Sequence, residues 1–229
     1  MRRFGLRILS ANLANGGADA DAFADLVEAV EPDVVLVQEL APTQAQALAR
    51  VLPFGKLEPS WDHQGMGIAL RAPGSVRALR LPYRSAFVAE LAGPEDDEPV
   101  EVLNVHLAAP HVHPVTQRIR DRRGQLREIT AHLDATPRRW RVLAGDLNAT
   151  PLWPAYRRLT ARFDDAALEA ARRIGRRPGR TWGPWAGSVR LFRIDHVLVQ
   201  GFAATETRVL PIRGSDHSAL VADLALPPG

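Results

Sequence analysis

Three stretches of this chain are mostly apolar without strict alternation: VVLVQEL at 34–40, VEVLNVHL at 100–107 and RVLAGDL at 141–147. A half-buried strand alternates apolar and polar residues, because successive side chains point to opposite faces. Runs of Val and Leu without that alternation read as strands buried on both faces. Such strands need cover on each side, which excludes a sheet with one wet face. Cover is available between them. DADAFADLVEAV (19–30) has helical apolar spacing and ends before Pro32. Thr43 is expected to cap a helix over QAQALARVL, closed by Pro53. QRIRDRRGQLREITAHLDAT (117–136) places Ile119, Leu126, Ile129 and Leu133 at helical intervals, with Arg and Glu facing water, and PAYRRLTARF reads as a short helix.

Further strands are expected at 6–13, 67–70, 76–81, 85–92, 193–200, 205–212 and 219–226. GPEDDEP (93–99) reads as an acidic hairpin tip, and 172–190 as a long irregular loop rich in Arg, Gly and Pro. No linker divides the alternating elements, so residues 1–229 are expected to form one α/β domain, helices covering stacked sheets. At 229 residues the chain is long enough for a large core. With 46% hydrophobic and 24% charged residues it has an ordinary globular balance. The net charge is only +3, while the pI reaches 10.1 because Lys56 is the sole lysine and Arg holds its proton at ordinary pH. No apolar stretch approaches a transmembrane length. The N-terminus has no secretory pattern, so the expectation is a cytoplasmic, monomeric chain.

The buried runs share an oddity: they end in polar residues. VLAGDLNATP (142–151) finishes with Asp146 and Asn148 two positions apart. Strand 6–13 carries Asn12, 34–40 ends in Gln38-Glu39, and 100–107 carries Asn104 and His106. The strand at 193 begins Arg193, Asp195, His196, and the turn before the last strand reads Ser215-Asp216-His217. Residues two apart on an extended chain share a face, so Asp146 and Asn148 can address one small object. A buried carboxylate is costly unless it is paired or ligates a cation. One such residue alone is as readily a satisfied structural group, but so many at strand ends point to one shared polar site. The chain has no cysteine, and hard oxygen ligands suit Mg²⁺ or Mn²⁺. Histidines and spare carboxylates would move protons. The chemistry indicated is metal-assisted hydrolysis of a phosphate ester.

In the order SANL, VQEL, NVHLAAP, GDLNATP, RIDHVL and GSDHSAL, the chain resembles the endonuclease/exonuclease/phosphatase superfamily of deoxyribonuclease I and the exonuclease III-type endonucleases, from Asn12 to His217. The resemblance implies a four-layer α/β sandwich, two mixed β-sheets packed face to face with helices outside, and a site at one edge of the sheets. It implies that Glu39 is the principal metal carboxylate, with Asn12 and Asp216 near the same ion. Asp146 would orient and deprotonate the attacking water, and Asn148 would hold a phosphate oxygen. His217 would hydrogen-bond the phosphoryl group, with Asp195 fixing its tautomer. His106 would be the acid for the leaving oxygen, with Glu58 as its carboxylate partner.

The chain departs from the abasic-site enzymes. Ala14 and Asn15 stand where an acid would follow Asn12, and Tyr83 and Tyr156 lie outside the motif of the active-site tyrosine. The expected substrate is DNA or RNA; the alternative is a small or lipid-linked phosphate or pyrophosphate. Arg180 and Trp182 are candidate substrate contacts, Trp182 and Trp185 offering rings for bases or anchoring their loop. The Arg groups at 118–127 and 172–180 would grip phosphates or face solvent, and His111 and His113 would line the site or stand idle. A catalytically silent binding module on this fold is disfavoured, because Glu39, Asp146 and His217 are all present.

Overall fold

The computed structural model describes residues 4–95 and 98–227. Among the described residues twelve strands form two six-stranded sheets. The first has the order β11 (Ala203–Pro211), β12 (Ser218–Ala225), β1 (Gly5–Asn12), β2 (Val34–Gln38), β4 (Met66–Leu70), β3 (Phe54–Glu58). The second has the order β5 (Ser75–Leu79), β6 (Ala86–Glu95), β7 (Glu98–His106), β8 (Arg141–Asp146), β10 (Asp195–Gln200), β9 (Asp164–Asp165). Each sheet is mixed and has one parallel pair near its middle, β1 with β2 and β7 with β8. Parallel neighbours need a crossover. Here α1 (Ala20–Val30) makes the first and α3 (Val115–Ala135) the second.

The unbroken apolar runs acquire their meaning in the packing. Alternate residues of one strand enter different cores. Ile8, Val34, Leu36, Val102, Val142, Ala144 and Val197 face inward and fill the space between the sheets. Their neighbours Leu9, Val35 and Val37 turn outward against Phe23 and Val27 of α1 and Leu48 of α2 (Pro42–Val51). Leu103, Val105 and Leu143 turn outward against Leu126, Ile129 and Leu133 of α3 and Leu159 of α4 (Pro154–Thr160). Each fully buried Val, Leu or Ile contributes about 1.5–3 kcal/mol. The four layers are thus held by three apolar seams, and the described helices include none long and apolar enough to cross a membrane.

Several local expectations need correction. Thr43 does not cap α2: the cap is Ala41, Pro42 opens the helix, and Gln44 Oε1 accepts from Ala41 N at 3.0 Å. Pro at the first helical position wastes no donor. Ile119 is largely exposed, whereas Arg122 of the same helix is buried. β3 is an exposed edge strand without clean alternation, and α5 (Ala166–Arg173) runs into the expected 172–190 loop. The sequence had a signal for α5, since Asp165 caps it by accepting from Leu168 N at 3.0 Å. Of the expected acidic hairpin tip, residues 96 and 97 lie outside the described residues, and the flanking β6 and β7 pair as far as Glu95 and Glu98.

Candidate active site

The inward face of each central strand carries apolar residues until its last turn and then becomes polar. On β1 the inward series is Ile8, Ser10, Asn12; on β7 it is Val102, Asn104, His106; on β8 it is Val142, Ala144, Asp146. The period of two therefore delivers Asn12, His106 and Asp146 to one rim of the sandwich, at the carboxyl ends of the parallel pairs. Ladder register fixes their level: His106 is the rung partner of Asp146 on one side, and Asp195 its partner on the other. Glu39 follows Gln38 and would point outward by alternation. Its φ of 52° turns the chain so that its carboxylate reaches the same rim. Gly145 permits β8 to run against β7 there: its φ is +138°, and a Cβ would lie 1.9 Å from Val105 O.

Asp146 is the hub. Its Oδ2 accepts from Asn12 Nδ2 at 3.1 Å and Asn148 Nδ2 at 3.2 Å, and its Oδ1 from Asn148 N at 2.7 Å. His106 Nε2 lies 3.4 Å and His217 Nε2 3.9 Å from Oδ2. Burial, then the neighbouring Asp195, push its carboxyl up to about 7 against the pull of His217. Burial alone would lower His217; the charge of Asp195, bonded to Nδ1 at 2.9 Å, lifts it to about 9. The backbone of Ser215-Asp216-His217 is tied to β1, because Ser215 Oγ donates to Asn12 O at 2.9 Å. Trp182 donates to Asp216 Oδ2 at 3.0 Å and stacks on Phe192, ring centres 6.0 Å apart.

Not every polar strand end belongs here. Gln38 Nε2 donates to Asn104 Oδ1 at 2.7 Å, and Asn104 Nδ2 donates to the carbonyls of Val37 and Gly67, a buried bridge between the sheets beneath the site. His196 alternates to the outer face, where Nε2 meets Ala149 O at 2.8 Å under the Tyr156 ring. Arg193 accompanies it, donating to Asp165 Oδ2 at 2.6 Å. Glu58 is exposed and pairs with Lys56, so it is no partner of His106. The partner is Arg84, whose Nη1 meets His106 Nδ1. A guanidinium can only donate, so Nδ1 accepts and the imidazole proton sits on Nε2, facing Asp146. Burial, then the Arg84 charge, holds His106 well below the usual histidine range, and His106 is a neutral donor.

A cavity of about 750 Å³ opens over these groups. Glu39, Asp146, Asn148, Trp182, Asp216 and His217 line it, as do His111, Trp153, Arg118 of the 118–127 arginine group, and two residues the sequence did not single out for the site: His63 and Arg84. Tyr83, set aside with Tyr156 on motif grounds, lines it too. Arg180, Trp185 and His113 do not line it. Asn12 stands behind Asp146, its Oδ1 taken by Ala14 N at 3.0 Å. His63 Nδ1 lies 2.9 Å from Glu39 Oε2. Among the described residues no Lys or Arg lies within ion-pair distance of Glu39, Asp146 or Asp195, and ligand atoms of Asp146, Asp195 and His217 lie within 4.8 Å of one another. An oxygen-rich cluster so unbalanced in charge fits a divalent cation.

The sequence profile of the endonuclease/exonuclease/phosphatase family matches residues 9–217. This chain belongs to that family. A family member from Beutenbergia cavernae superposes with a TM-score of 0.76 at 23% identity, over 98% of this chain and 72% of that one. A humanized TDP2 from D. rerio gives 0.72 at 20%, over 96% and 98%. The human Nocturnin catalytic domain with bound sulfate gives 0.70 at 17%, over 97% and 95%. No curated protein sequence matches the chain. As an endonuclease/exonuclease/phosphatase family member it is a divalent-metal-dependent phosphoric ester hydrolase with the deoxyribonuclease I-like sandwich.

Proposed function

We propose that this hydrolase cleaves phosphodiester bonds of DNA or RNA by in-line attack of water. The observation that carries the reading is the convergence of Asp146, Asp195 and His217 within 4.8 Å, with Asp146 and His217 lining one cavity. Asp146, with its carboxyl near 7, takes the proton of the attacking water at neutral pH. His217, a cation at that pH, donates from Nε2 to a phosphoryl oxygen as charge develops, while Asp195 holds Nδ1. Asn148 keeps one N–H on Leu107 O at 3.0 Å and turns the other, now on Asp146, to a phosphoryl oxygen. His106 adds a neutral Nε2–H toward the leaving oxygen. Glu39 and Asp216 would hold Mg²⁺ or Mn²⁺, Asn12 positioning Asp146 behind them. When bound, the ion supplies Lewis-acid stabilisation of the phosphoryl oxygens. All these groups come from one chain, so a monomer suffices. The rings of Trp153, Trp182 and Phe192 suit stacked bases.

A second reading, hydrolysis of a small or lipid-linked phosphate, is favoured by one observation: Val112 and Leu152 line the cavity yet remain 43% and 76% exposed, an apolar lip. Plasmid DNA incubated with Mg²⁺ or Mn²⁺, with and without EDTA, separates the two when free phosphate from a panel of phosphomonoesters is measured in parallel. Nicking that EDTA stops supports the nuclease. Phosphate release over intact plasmid, with a single-stranded RNA also left intact, supports the second reading and overturns the first.

A further inference from the structure

Among the described residues, the buried arginines other than Arg84 meet carboxylate or carbonyl oxygens. Arg141 pairs with Glu101 at 2.8 Å, Arg193 with Asp165 at 2.6 Å, and Arg122 donates to the carbonyls of Ala108 and Leu147. Arg84 is 6% exposed and has no carboxylate within ion-pair distance among the described residues. Its Nη1 rests on His106, its guanidinium lies 4.6 Å from the Tyr83 ring centre, and its Nε has no hydrogen-bond partner. A buried cation is costly until an anion meets it. Arg118 also lies against the Tyr83 ring, 3.8 Å from its centre. It shares Asp121 at 3.3 Å and likewise carries a buried Nε without a partner. All three residues line the cavity of Asp146 and His217. The His106 ring alone spans the distance, Nε2 toward Asp146 and Nδ1 on Arg84.

We propose that Arg84 and Arg118, gathered around the Tyr83 ring, receive a second phosphoryl group of the substrate, adjacent to the one attacked beside Asp146. The inference rests on the reading of that cavity as the site of phosphoester hydrolysis, and it narrows the substrate to molecules with two neighbouring phosphoryl groups. A 5′-phosphorylated nucleic-acid end and a pyrophosphoryl compound both qualify. Guanidinium forks match phosphate oxygens in a planar, two-point fashion that a lysine cannot reproduce.

Two measurements test this. The first compares kcat/KM for the dinucleotide TpT with and without a 5′-phosphate. The second titrates inorganic pyrophosphate and inorganic phosphate into metal-free protein in EDTA, followed by calorimetry. The wild type should favour the 5′-phosphorylated dinucleotide, and pyrophosphate over phosphate, by about tenfold or more. Both ratios should fall toward one in Arg84→Met and in Arg118→Met. Arg118 is the less buried of the two, so its variant keeps the test open if Arg84→Met fails to fold. A calorimetric preference without a 5′-phosphate effect assigns pyrophosphoryl compounds; both together assign nucleic-acid ends. If neither dinucleotide is cleaved, the titration alone decides the anion site, and the plasmid assay separately decides the nuclease reading. No pyrophosphate preference in the wild type, or one that survives both substitutions, overturns the proposal.

Discussion

Asp146 and Asp195 stand opposite each other on one rung between β8 and β10, two carboxylates on the same inward face. Like charges in that position repel. His217 relieves the repulsion, its Nδ1 2.9 Å from Asp195 and its Nε2 3.9 Å from Asp146. The carboxyl groups are thereby driven apart: one is bonded to an imidazole, and the other is pushed up to about 7.

Removing Asp146 or the imidazole beside it should silence the enzyme without unfolding it. Asp146→Asn and His217→Ala should each lower kcat by about 10²-fold or more. Thermal unfolding of each variant should stay cooperative. Near-wild-type turnover by either, on the substrate that the wild type cleaves, would show that the roles are misassigned.

The stability of the metal-free protein should fall as the pH rises. Asp146 is held up to about 7 from 3.8, so the folded state binds its proton more tightly, and that advantage is lost as the pH climbs through 7. His217, lifted to about 9 from 6.5, contributes stability that is complete below 6.5 and gone above 9. Both act in one direction, while His106, held below its usual range, acts the other way only below 6.5. Denaturant midpoints in EDTA should therefore decline between about pH 7 and 9 (window from the His217 shift), and Asp195→Asn should flatten that decline.

Divalent cation should reverse the trend, because it binds the deprotonated cluster and stabilises only the folded state. Saturating Mn²⁺ should raise the melting temperature more at pH 8 than at pH 6 (about one pH unit either side of the Asp146 value). Glu39→Gln should shrink the shift. An equal shift in Glu39→Gln would remove Glu39 from the ligand set.

On the outer face of β10, Asp165 is held well below its usual range: its burial cost is outweighed by His196 and Arg193. A depressed carboxyl contributes stability above its unfolded value of 3.8 and loses it as the pH drops further. Asp165→Asn should cost about 3–5 kcal/mol at pH 7, since Arg193 is left buried without its counter-charge. In urea titrations the gap between variant and wild type should narrow at pH 3 (about one unit below the unfolded carboxyl value).

Much of this was legible in the chain, for an identifiable reason. Val and Leu runs that end in Asn12, Glu39, His106 and Asp146 carry both the strand and its rim, because one period of two governs burial and polarity alike. The same period, applied strictly, would have separated Asp195 from His196. Arg84 and His63 were invisible as site residues, and Tyr83 was set aside, because they lie in turns without periodicity, and only the pairing of distant strands brings them to the cavity. Glu58 shows the converse: a plausible motif position on an exposed edge strand, spent on Lys56.

The buried bridge from Gln38 to Asn104 joins the two halves of the sandwich directly below the candidate site. Asn12 and Glu39 ride on one half, His106, Asp146 and Asp195 on the other. Catalytic competence is therefore a gauge of inter-sheet alignment: a slip of a single residue spacing would disarm the enzyme while leaving every ladder and helix intact, so under gentle denaturation inactivity should arrive before any loss of circular dichroism.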